Sequence, residues 1–490
     1  FFGLAKEDGS RHYTGNSRSL NSSGSGPWRY QFDAGWYYRS LAGGFRSEVG
    51  TPSLPTAETV REFMAEEDTW PISDVWYYHD WHNHRYGSKT FSELYKEGMD
   101  RKLGPSDNLD DFCRKAQLIN YESHRAIFEA WNSKMWNDAS GVLLWMSHPA
   151  WPSMVWQNYS SNGETAGAYY GTQKACRPLH IQMSLNSQHR VDIINTTLKE
   201  YRNLKVEVVV YDKLGKKIRS SQQKVSHVTP NALTPVTQLE DIKGLPDFSW
   251  VKLVLTTNNG KLLDDNVYWL NQKEWDGKIL TDLPISSVNV SVKNFTKKAN
   301  HYEGKFIVKN PGQHLAAAIA LTLRDAKTDA PIRPAYFDDG YFYLMPGESK
   351  EIRFQVDCKE GVDKLLLRVD GLPVPEIQQS KSPVKRTLVG TVTDASTGET
   401  LIGVNVIIKG TTQGTVTDLD GKFSIEVTGK DEIEISYIGY KTQTIEVGDL
   451  GILNVKMEGD NEVLDEVVVV GAVTDIEYAI DVNTGEKKKV

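Results

Sequence analysis

The chain has 490 residues, enough for roughly three or four domains of ordinary size. Lys and Arg number 56 and Asp and Glu number 64, and the resulting net charge of −8 argues against a general nucleic-acid-binding protein. No stretch approaches the ~18 uninterrupted apolar residues of a membrane helix, so no transmembrane segment is expected. The three widely spaced cysteines, Cys113, Cys176 and Cys358, predict neither a metal-type motif nor a full disulfide framework.

The first 175 residues are predicted to alternate between strands and helices. Residues 41–48 predict a short strand, and residues 56–67 predict a helix with Thr56 as its N-cap. A long helix is expected over residues 108–136, because apolar and small side chains recur there every three or four positions. The apolar run 142–146 is typical of a strand buried on both faces of a parallel sheet. This order of elements predicts part of an α/β sheet or barrel.

The middle of the chain has a different pattern. Short β-like runs at 206–211, 250–255 and 315–323 are bounded by Gly, Asn, Asp or Pro nearby, and no long helical period is present. The last of these runs is rich in alanine and is the weakest strand prediction. Two immunoglobulin-like β-sandwiches are predicted, at 176–278 and 279–375.

The remaining residues predict three further segments. Residues 376–386 have the composition of a linker, and residues 387–458 carry turn glycines at strand-length intervals, which predicts a small prealbumin-like β-sandwich. Residues 459–490 predict a disordered tail, apart from the apolar run 467–470.

Aromatic residues are concentrated near the beginning of the chain. Ten of the 13 tryptophans lie between Trp28 and Trp156. Because aromatic faces make binding surfaces, this concentration of tryptophan is typical of a ligand-binding domain. A large aromatic core explains it equally well.

Glu48 is the most informative candidate site residue. Residues 45–53 read Phe-Arg-Ser-Glu-Val-Gly-Thr-Pro-Ser, with Glu48 at the end of a predicted strand. Barrel enzymes place catalytic groups at such positions, although a solvated glutamate is the commoner occupant of a strand end. The segment resembles the nucleophile strand of glycoside hydrolase family 2.

The surrounding residues resemble one branch of that family, the exo-β-glucosaminidases and the mannosylglycoprotein endo-β-mannosidases. The resemblance covers about residues 1–375. The strings that carry it are 45–55, 78–82, 115–117, 120–126, 128–131, 144–153, 168–172, 179–182 and 341–348.

The resemblance implies a fold and a set of roles. Residues 1–175 would be the C-terminal half of a (β/α)8 barrel, and Glu48 the nucleophile of a retaining glycosidase acting on β-glucosaminides or β-mannosides. Trp145 resembles the aromatic floor under the sugar, with a core tryptophan as the alternative. Trp151, His79 and Trp81 are further substrate-binding candidates. This chemistry needs no cofactor, and no metal site is expected from His79 and the two histidines that follow it.

Retention also needs a second carboxyl group, ~5–5.5 Å from the first, to protonate the leaving oxygen. In the family this acid/base precedes the nucleophile, as the Glu of an Asn-Glu pair or the Asp of a Ser-Asp pair. Here the candidates, Asn461-Glu462, Ser73-Asp74 and Ser106-Asp107, all follow Glu48. The acid/base is therefore expected to be absent from the chain, which is expected to be incomplete at its N-terminus and to hydrolyse glycosides poorly or not at all.

The last part of the chain resembles a different protein family. The strings 390–394, 401–406, 409–412, 417–423 and 436–440 resemble the carboxypeptidase-regulatory-like domain of Bacteroidetes TonB-dependent receptors. Residues 464–471 resemble the TonB box that follows it, whose β-branched residues suit strand addition to a partner's sheet. An apolar segment without that function is the alternative.

These resemblances together predict a glycosidase fragment joined to a regulatory-like domain. Its substrate would be an oligosaccharide or glycan, and TonB is a candidate partner through 464–471. The expected location is the periplasm or cell surface, with a signal peptide upstream of residue 1. Two alternatives stand beside this reading: a non-enzymatic interaction or carbohydrate-binding component of a TonB-linked glycan-uptake system, and a chimeric fragment.

Overall fold

The computed structural model describes residues 22–23, 26–81, 85–155, 158–239, 244–275, 280, 282–286, 288–298, 300–358, 362, 364–372, 386–411, 413–428, 431–448, 450–460, 477–480 and 487–489. The chain divides into two compact units, the first formed by residues 1–374 with 471–487 and the second by 375–470 with 488–490. The helices are α1 Ala57–Arg61, α2 Glu66–Thr69, α3 Asp74–Tyr78, α4 Phe91–Leu103, α5 Leu109–Asn132 and α6 Gly167–Ala175, with a π-helical turn at Tyr37–Leu41.

The first unit begins with a parallel sheet. Its strands are β1 (Ser22–Ser23), β2 (Gly44–Val49) and β5 (Ala139–Leu144), in the order β1-β2-β5. A separate hairpin of β3 (Arg85–Tyr86) and β4 (Lys89–Thr90) lies in the connection between β2 and β5.

One face of this sheet is packed and the other is open. Val49 and Ala139 pack against Ala130 and other small residues of α5. On the opposite face, Leu143 is 52% exposed. Since successive side chains of a strand alternate between faces, the prediction that 142–146 is buried on both faces is wrong. The strand is parallel, but the described residues cover only one face of it.

Local capping determines where two of the helices begin. The Thr56 hydroxyl accepts a hydrogen bond from the Thr59 amide, as the sequence predicts, but α1 ends at Arg61 and a second short helix, α2, begins at Glu66. Asn108 caps α5 by accepting from the Asp111 amide. The long helix ends at Asn132, four residues before its predicted end, and Trp136 has a left-handed φ of 62°.

Two glycines let α6 approach α5 closely. A Cβ atom added at Gly167 would lie 2.0 Å from the Gln117 carbonyl oxygen, and one at Gly171 would lie 2.3 Å from that of Tyr121. Both distances are far inside van der Waals contact, so only glycine fits between these helices.

The first β-sandwich follows α6. One sheet has the order β10-β7-β6 and the other β12-β11-β8-β9. Alternating side chains such as Val206, Val208 and Val210 point into a shared core with Leu253 and Leu255. The strands are β6 Leu179–Met183, β7 Arg190–Asn195, β8 Tyr201–Tyr211, β9 Lys217–Val228, β10 Ala232–Gln238, β11 Phe248–Thr257 and β12 Leu262–Asn271.

A second β-sandwich completes the first unit. One sheet has the order β13-β14-β18-β16, and the other contains β17, β15, β19 and β27 in that order. The alanine-rich run forms a strand, as predicted. Glu477–Ile480 pairs antiparallel with β19 where the sequence predicts disorder. The strands are β13 Asn289–Lys298, β14 His301–Lys309, β15 Ala316–Asp325, β16 Ala335–Phe337, β17 Tyr341–Leu344, β18 Ser349–Asp357, β19 Leu365–Leu372 and β27 Glu477–Ile480.

The second unit is a small β-sandwich with its own apolar core. Its sheets have the orders β23-β20-β26 and β22-β21-β24-β25, and Val392, Val406 and Ile435 are fully buried between them. The TonB-box-like residues 464–471 and the linker 376–385 lie outside the described residues. The strands are β20 Arg386–Asp394, β21 Asn405–Ile408, β22 Gly414–Val416, β23 Lys422–Val427, β24 Glu432–Ser436, β25 Gln443–Glu446 and β26 Val455–Met457. A last strand, β28 (Lys487–Lys489), follows β27 in the chain and belongs to neither of these two sheets.

Among the described helices, none combines the length and the apolar character that crossing a membrane would require.

Candidate active site

Glu48 lies in a β-bulge at the carboxyl end of β2. Arg46 pairs with Val142 and Val49 pairs with Leu144, so three steps along β2 correspond to two along β5. The extra residue changes the direction of the side chains at Ser47 and Glu48, as bulges beside functional sites commonly do. Glu48 is partly exposed, and no described residue donates a hydrogen bond to its carboxylate or forms an ion pair with it.

The backbone on both sides of the bulge is held in place. The Arg46 guanidinium donates to the Gly26 carbonyl oxygen at 2.8 Å, and the Gly50 amide donates to the Pro27 carbonyl oxygen at 3.1 Å. Glu48 therefore combines a fixed backbone with a carboxylate that is free of the described residues.

Trp145 lies beside this segment, one residue beyond β5. Its backbone amide donates to the Val49 carbonyl oxygen at 2.8 Å, which continues the pairing of the two strands. Its side chain is 46% exposed. Because the carboxyl ends of parallel strands meet at one edge of a sheet, Glu48 and Trp145 share that edge.

The connections that leave this edge are joined to each other. The Thr56 hydroxyl donates to the Glu164 carboxylate at 2.6 Å, and the Asn162 amide group donates to the Glu62 carboxylate at 2.8 Å. The residues after β2 and those after β5 therefore form one connected surface around the carboxyl edge.

His79 and Trp151 belong to this surface. The two rings stack at 5.1 Å with an interplanar angle of 24°. The His79 Nδ1 atom lies 2.7 Å from the Pro152 carbonyl oxygen, and the Met154 amide donates to the His79 carbonyl oxygen at 2.8 Å. His79 is 8% exposed and Trp151 is 38% exposed. His79 thus holds the loop, whereas Trp151 is open to a ligand.

Trp81 does not reach the surface. It is 2% exposed and packs edge-on against Trp76 at 5.2 Å and against Phe112 at 6.0 Å. Its assignment to substrate binding is therefore corrected to a core position. His82, His84 and Trp156 lie outside the described residues. The described part of the chain contains no group of three or more His, Cys, Asp or Glu side chains that could hold a metal ion.

A buried network around Glu129 was not predicted from the sequence. The Glu129 carboxylate accepts hydrogen bonds from Tyr38, Asn266 and Tyr268 and contacts His180 Nε2 at 3.1 Å. All are buried. The sequence signal was present, since Glu129 and His180 both lie in strings that carry the family resemblance, but no local pattern links them.

Charge balance determines the protonation states in this network. The two nitrogens of the His180 ring face two carboxylates, with Nδ1 2.8 Å from Asp264. Burial disfavours the imidazolium, but Asp264 and Glu129 outweigh burial and raise the pKa of His180 above its ordinary value. Burial alone would raise the pKa of Glu129, but the His180 hydrogen bond and the Arg125 charge hold that pKa below its ordinary value. The network is therefore a satisfied ionic core that joins α5 to the first sandwich.

A surface hollow of about 280 Å³ lies away from the carboxyl edge. It is lined by Trp131, Trp136 and the first residues of β5, together with Thr196 and Asn231 of the first sandwich. Since Glu48 and Trp145 lie at the other end of these strands, the hollow is separate from the candidate active site.

Comparisons with known proteins identify the class to which this architecture is similar. Residues 266–374 match the family model described as the exo-beta-D-glucosaminidase Ig-fold domain, and residues 388–469 match the CarboxypepD_reg-like domain. The crystal structure of Amycolatopsis orientalis exo-chitosanase CsxA superimposes with a TM-score of 0.64 at 26% identity, covering 71% of this chain and 44% of that one. The chain is thus a β-rich, multidomain protein that resembles this enzyme and contains Ig-fold structure.

Two sequence relatives refine the comparison. A mannosylglycoprotein endo-beta-mannosidase from Lilium longiflorum is 26% identical in an alignment 395 positions long, gaps included, which covers 65% of this chain and 40% of the lily protein. The TonB-dependent receptor SusC of Bacteroides thetaiotaomicron is 48% identical over 85 residues, 17% of this chain and 8% of the receptor. The resemblances predicted from the sequence are thereby confirmed. The chain spans about two fifths of the length of the glycosidases that it matches.

Proposed function

We propose that this protein is a retaining glycoside hydrolase of β-glucosaminides or β-mannosides, with Glu48 as its nucleophile. The observation that carries the proposal is the Glu48 carboxylate, which has no described partner and lies in a bulge beside the exposed Trp145. In this proposal β1, β2 and β5 are the last strands of a (β/α)8 barrel. Trp145 is the floor under the sugar, and Trp151, supported by His79, is a further sugar contact.

The reaction divides between two carboxyl groups. A Glu48 carboxylate oxygen forms a bond to the anomeric carbon as the bond from that carbon to the leaving oxygen breaks, and the leaving oxygen must gain a proton. We propose that none of the 490 residues donates this proton. Substrates with poor leaving groups then react about 10²–10⁴-fold more slowly, whereas substrates with good leaving groups do not need the acid. Water then attacks the anomeric carbon and the bond to Glu48 breaks, which is slow because the same absent group would serve as the base for that water.

Leaving-group dependence tests this proposal on the chain as it exists. The purified protein is incubated with 2,4-dinitrophenyl β-glucosaminide and β-mannoside, and with the corresponding β-linked disaccharides. We expect release of dinitrophenolate with retained configuration in the first sugar product, no cleavage of the disaccharides, and no release by Glu48→Gln. Equal release by the native chain and Glu48→Gln would refute the assignment of the nucleophile.

In this proposal the remaining parts of the chain have two roles. One part packs against the barrel segment, and another indicates where in the cell the protein acts. The first sandwich covers one side of α5 through the Glu129 network. The similarity of residues 388–469 to the regulatory-like domain of TonB-dependent receptors favours the periplasm or cell surface, and a glycan as the substrate.

One observation favours a second function. The same similarity suits a component of a TonB-linked glycan-uptake system that contacts TonB through 464–471. Purified TonB periplasmic domain would bind the native chain but not a variant that lacks residues 464–471 and keeps β27. Equal binding by both would exclude this role for the tail.

A further inference from the structure

The carboxyl edge of the parallel sheet carries a second aromatic feature beyond Trp145. Tyr78 is 72% exposed and meets Trp151 in a T-shaped contact, with ring centroids 5.4 Å apart and an interplanar angle of 88°. We call Tyr78 and Trp151 the aromatic platform. Large aromatic side chains that remain exposed together commonly mark a binding surface.

Neighbouring side chains and backbone hydrogen bonds hold the aromatic platform in place. Trp151 stacks on His79, and His79 packs against Phe63 with ring centroids 4.8 Å apart. The hydrogen bonds of His79 to the Pro152 and Met154 backbone fix the loop that carries Trp151. Tyr78 is the last residue of α3 and is fixed by that helix. The two rings therefore have a defined orientation before any ligand binds.

The position of the platform relates it to the candidate active site. Tyr78 lies in the connection that follows β2, and Trp151 lies in the one that follows β5, so both leave the sheet at the edge of Glu48. Trp145 directly follows β5, whereas Trp151 is six residues further along. The platform and Trp145 are thus separate aromatic surfaces on one side of the sheet.

We propose that the aromatic platform binds a second sugar ring of the substrate, next to the ring held at Glu48 and Trp145. The substrate is then a β-linked oligosaccharide of at least two units. A pyranose presents an apolar face of C–H bonds with hydroxyls around its rim. The Trp151 face matches the apolar part, and the nearly perpendicular Tyr78 brings a hydroxyl to the rim. This inference rests on the proposed function, because the neighbouring ring is located by Glu48.

Chain-length dependence of binding tests the platform without requiring catalysis. Dissociation constants of the native chain are measured by calorimetry for β-1,4-linked glucosamine and mannose saccharides of one to four units. We expect the longer saccharides to bind more tightly than the single sugars. Tyr78→Ala and Trp151→Ala are each expected to weaken the longer saccharides about fivefold to tenfold and to leave single sugars unchanged.

Three variants provide matched controls. Tyr78→Phe retains the ring and is expected to retain most of the affinity. Trp145→Ala is expected to weaken saccharides of every length. Trp136→Ala removes an exposed tryptophan at the opposite end of β5 and is expected to change nothing.

Two results would overturn the platform: no gain in affinity with length in the native chain, or equal losses by Tyr78→Ala for single sugars and long ones. Failure of the platform and failure of the proposed nucleophile are distinguishable. Length-dependent binding without dinitrophenolate release supports the platform alone, and release without length dependence supports Glu48 alone.

Discussion

Glu48 and Glu129 are two glutamates of the first unit with opposite surroundings. Glu48 is partly exposed in a bulge and has no partner among the residues that the structure describes. Glu129 is fully buried and receives hydrogen bonds from Tyr38, Asn266 and Tyr268, with His180 also in contact. A carboxylate whose oxygens are all satisfied is held in place by its neighbours and has no capacity left for a substrate.

This contrast explains which ionisable residues of the chain can do chemistry. A buried charge is tolerated only when it is paired and hydrogen-bonded, and the Glu129 network meets that condition through residues of α5, β6 and β12. A nucleophile needs a fixed backbone and an open carboxylate, and the bulge at Glu48 provides both. The difference between the two sites therefore predicts opposite responses to substitution.

Glu129→Ala should have the largest effect on stability. It removes the shared acceptor of Tyr38, Asn266 and Tyr268. It also removes one of the two carboxylates that face the buried His180, and together these losses cost about 3–5 kcal/mol of the free energy of unfolding. Chemical denaturation monitored by tryptophan fluorescence measures this loss. The matched control is Glu67→Ala on the exposed surface of α2, expected within about 0.5 kcal/mol of the native chain. Similar stabilities for the two variants would show that the network does not support the fold.

Glu48→Asp should show the opposite pattern, a large loss of reaction rate with little change in stability. The shorter side chain withdraws the carboxylate from the anomeric carbon, and a misplacement of about 1 Å costs about 10²-fold in rate. The stability should remain within about 0.5 kcal/mol of the native value, because no described partner is lost. Dinitrophenolate release and the unfolding midpoint are measured on the same sample. A large loss of stability with an unchanged rate would make Glu48 structural.

The Glu129 network also predicts how stability depends on pH. The raised pKa of His180 contributes stability that is complete below about pH 6.5 and is lost as the pH rises through the raised value. The lowered pKa values of Glu129 and Asp264 contribute stability above about pH 4 that is lost as the pH falls through them.

We therefore expect the unfolding free energy to fall on both sides of a maximum. His180→Gln should lower the maximum and flatten the decline on the alkaline side. Denaturant titrations from about pH 2 to about pH 9 check both points, because the acid-side loss begins only below about pH 4. If the free energy of unfolding of His180→Gln fell on the alkaline side as steeply as that of the native chain, groups other than His180 would be responsible for the decline.

Tyr38→Phe should have the smallest effect of the series. It removes the 3.1 Å hydrogen bond to Glu129 Oε2, whereas the other described donors all contact Oε1, so we expect a loss of about 1–3 kcal/mol. Tyr37→Phe is the matched control, because the buried Tyr37 hydroxyl does not contact Glu129. Equal effects of the two substitutions would contradict the role of Tyr38 in the network.

Local pattern predicted much of the fold. The spacing of apolar residues located α5, Thr56 was correctly placed as an N-cap, and the run 206–211 lies within β8 as expected. The interruption between α1 and α2 and the strand Glu477–Ile480 were not predicted. Pairing of that strand with β19 depends on residues more than one hundred positions away, which no local pattern records.

The candidate site was predictable only in part. The motif around Glu48 located the carboxylate and Trp145, but the bulge depends on the register with β5, which sequence spacing does not reveal. Trp81 was assigned to the substrate by its motif, yet Trp76 and Phe112 enclose it. The partners of Glu129 lie between 51 and 139 residues away, so the network becomes visible only in three dimensions.

Covalent trapping of the nucleophile tests the central claim most directly. The native chain is incubated with 2-deoxy-2-fluoro-β-mannosyl fluoride or the glucosyl analogue, whose fluoride leaves without a proton and whose C2 fluorine slows breakdown of the glycosyl-enzyme. We predict one added fluorosugar per chain by intact mass, on the peptide that contains Glu48. The absence of an adduct, or an adduct on any other carboxylate, would contradict the assignment of Glu48 as the nucleophile.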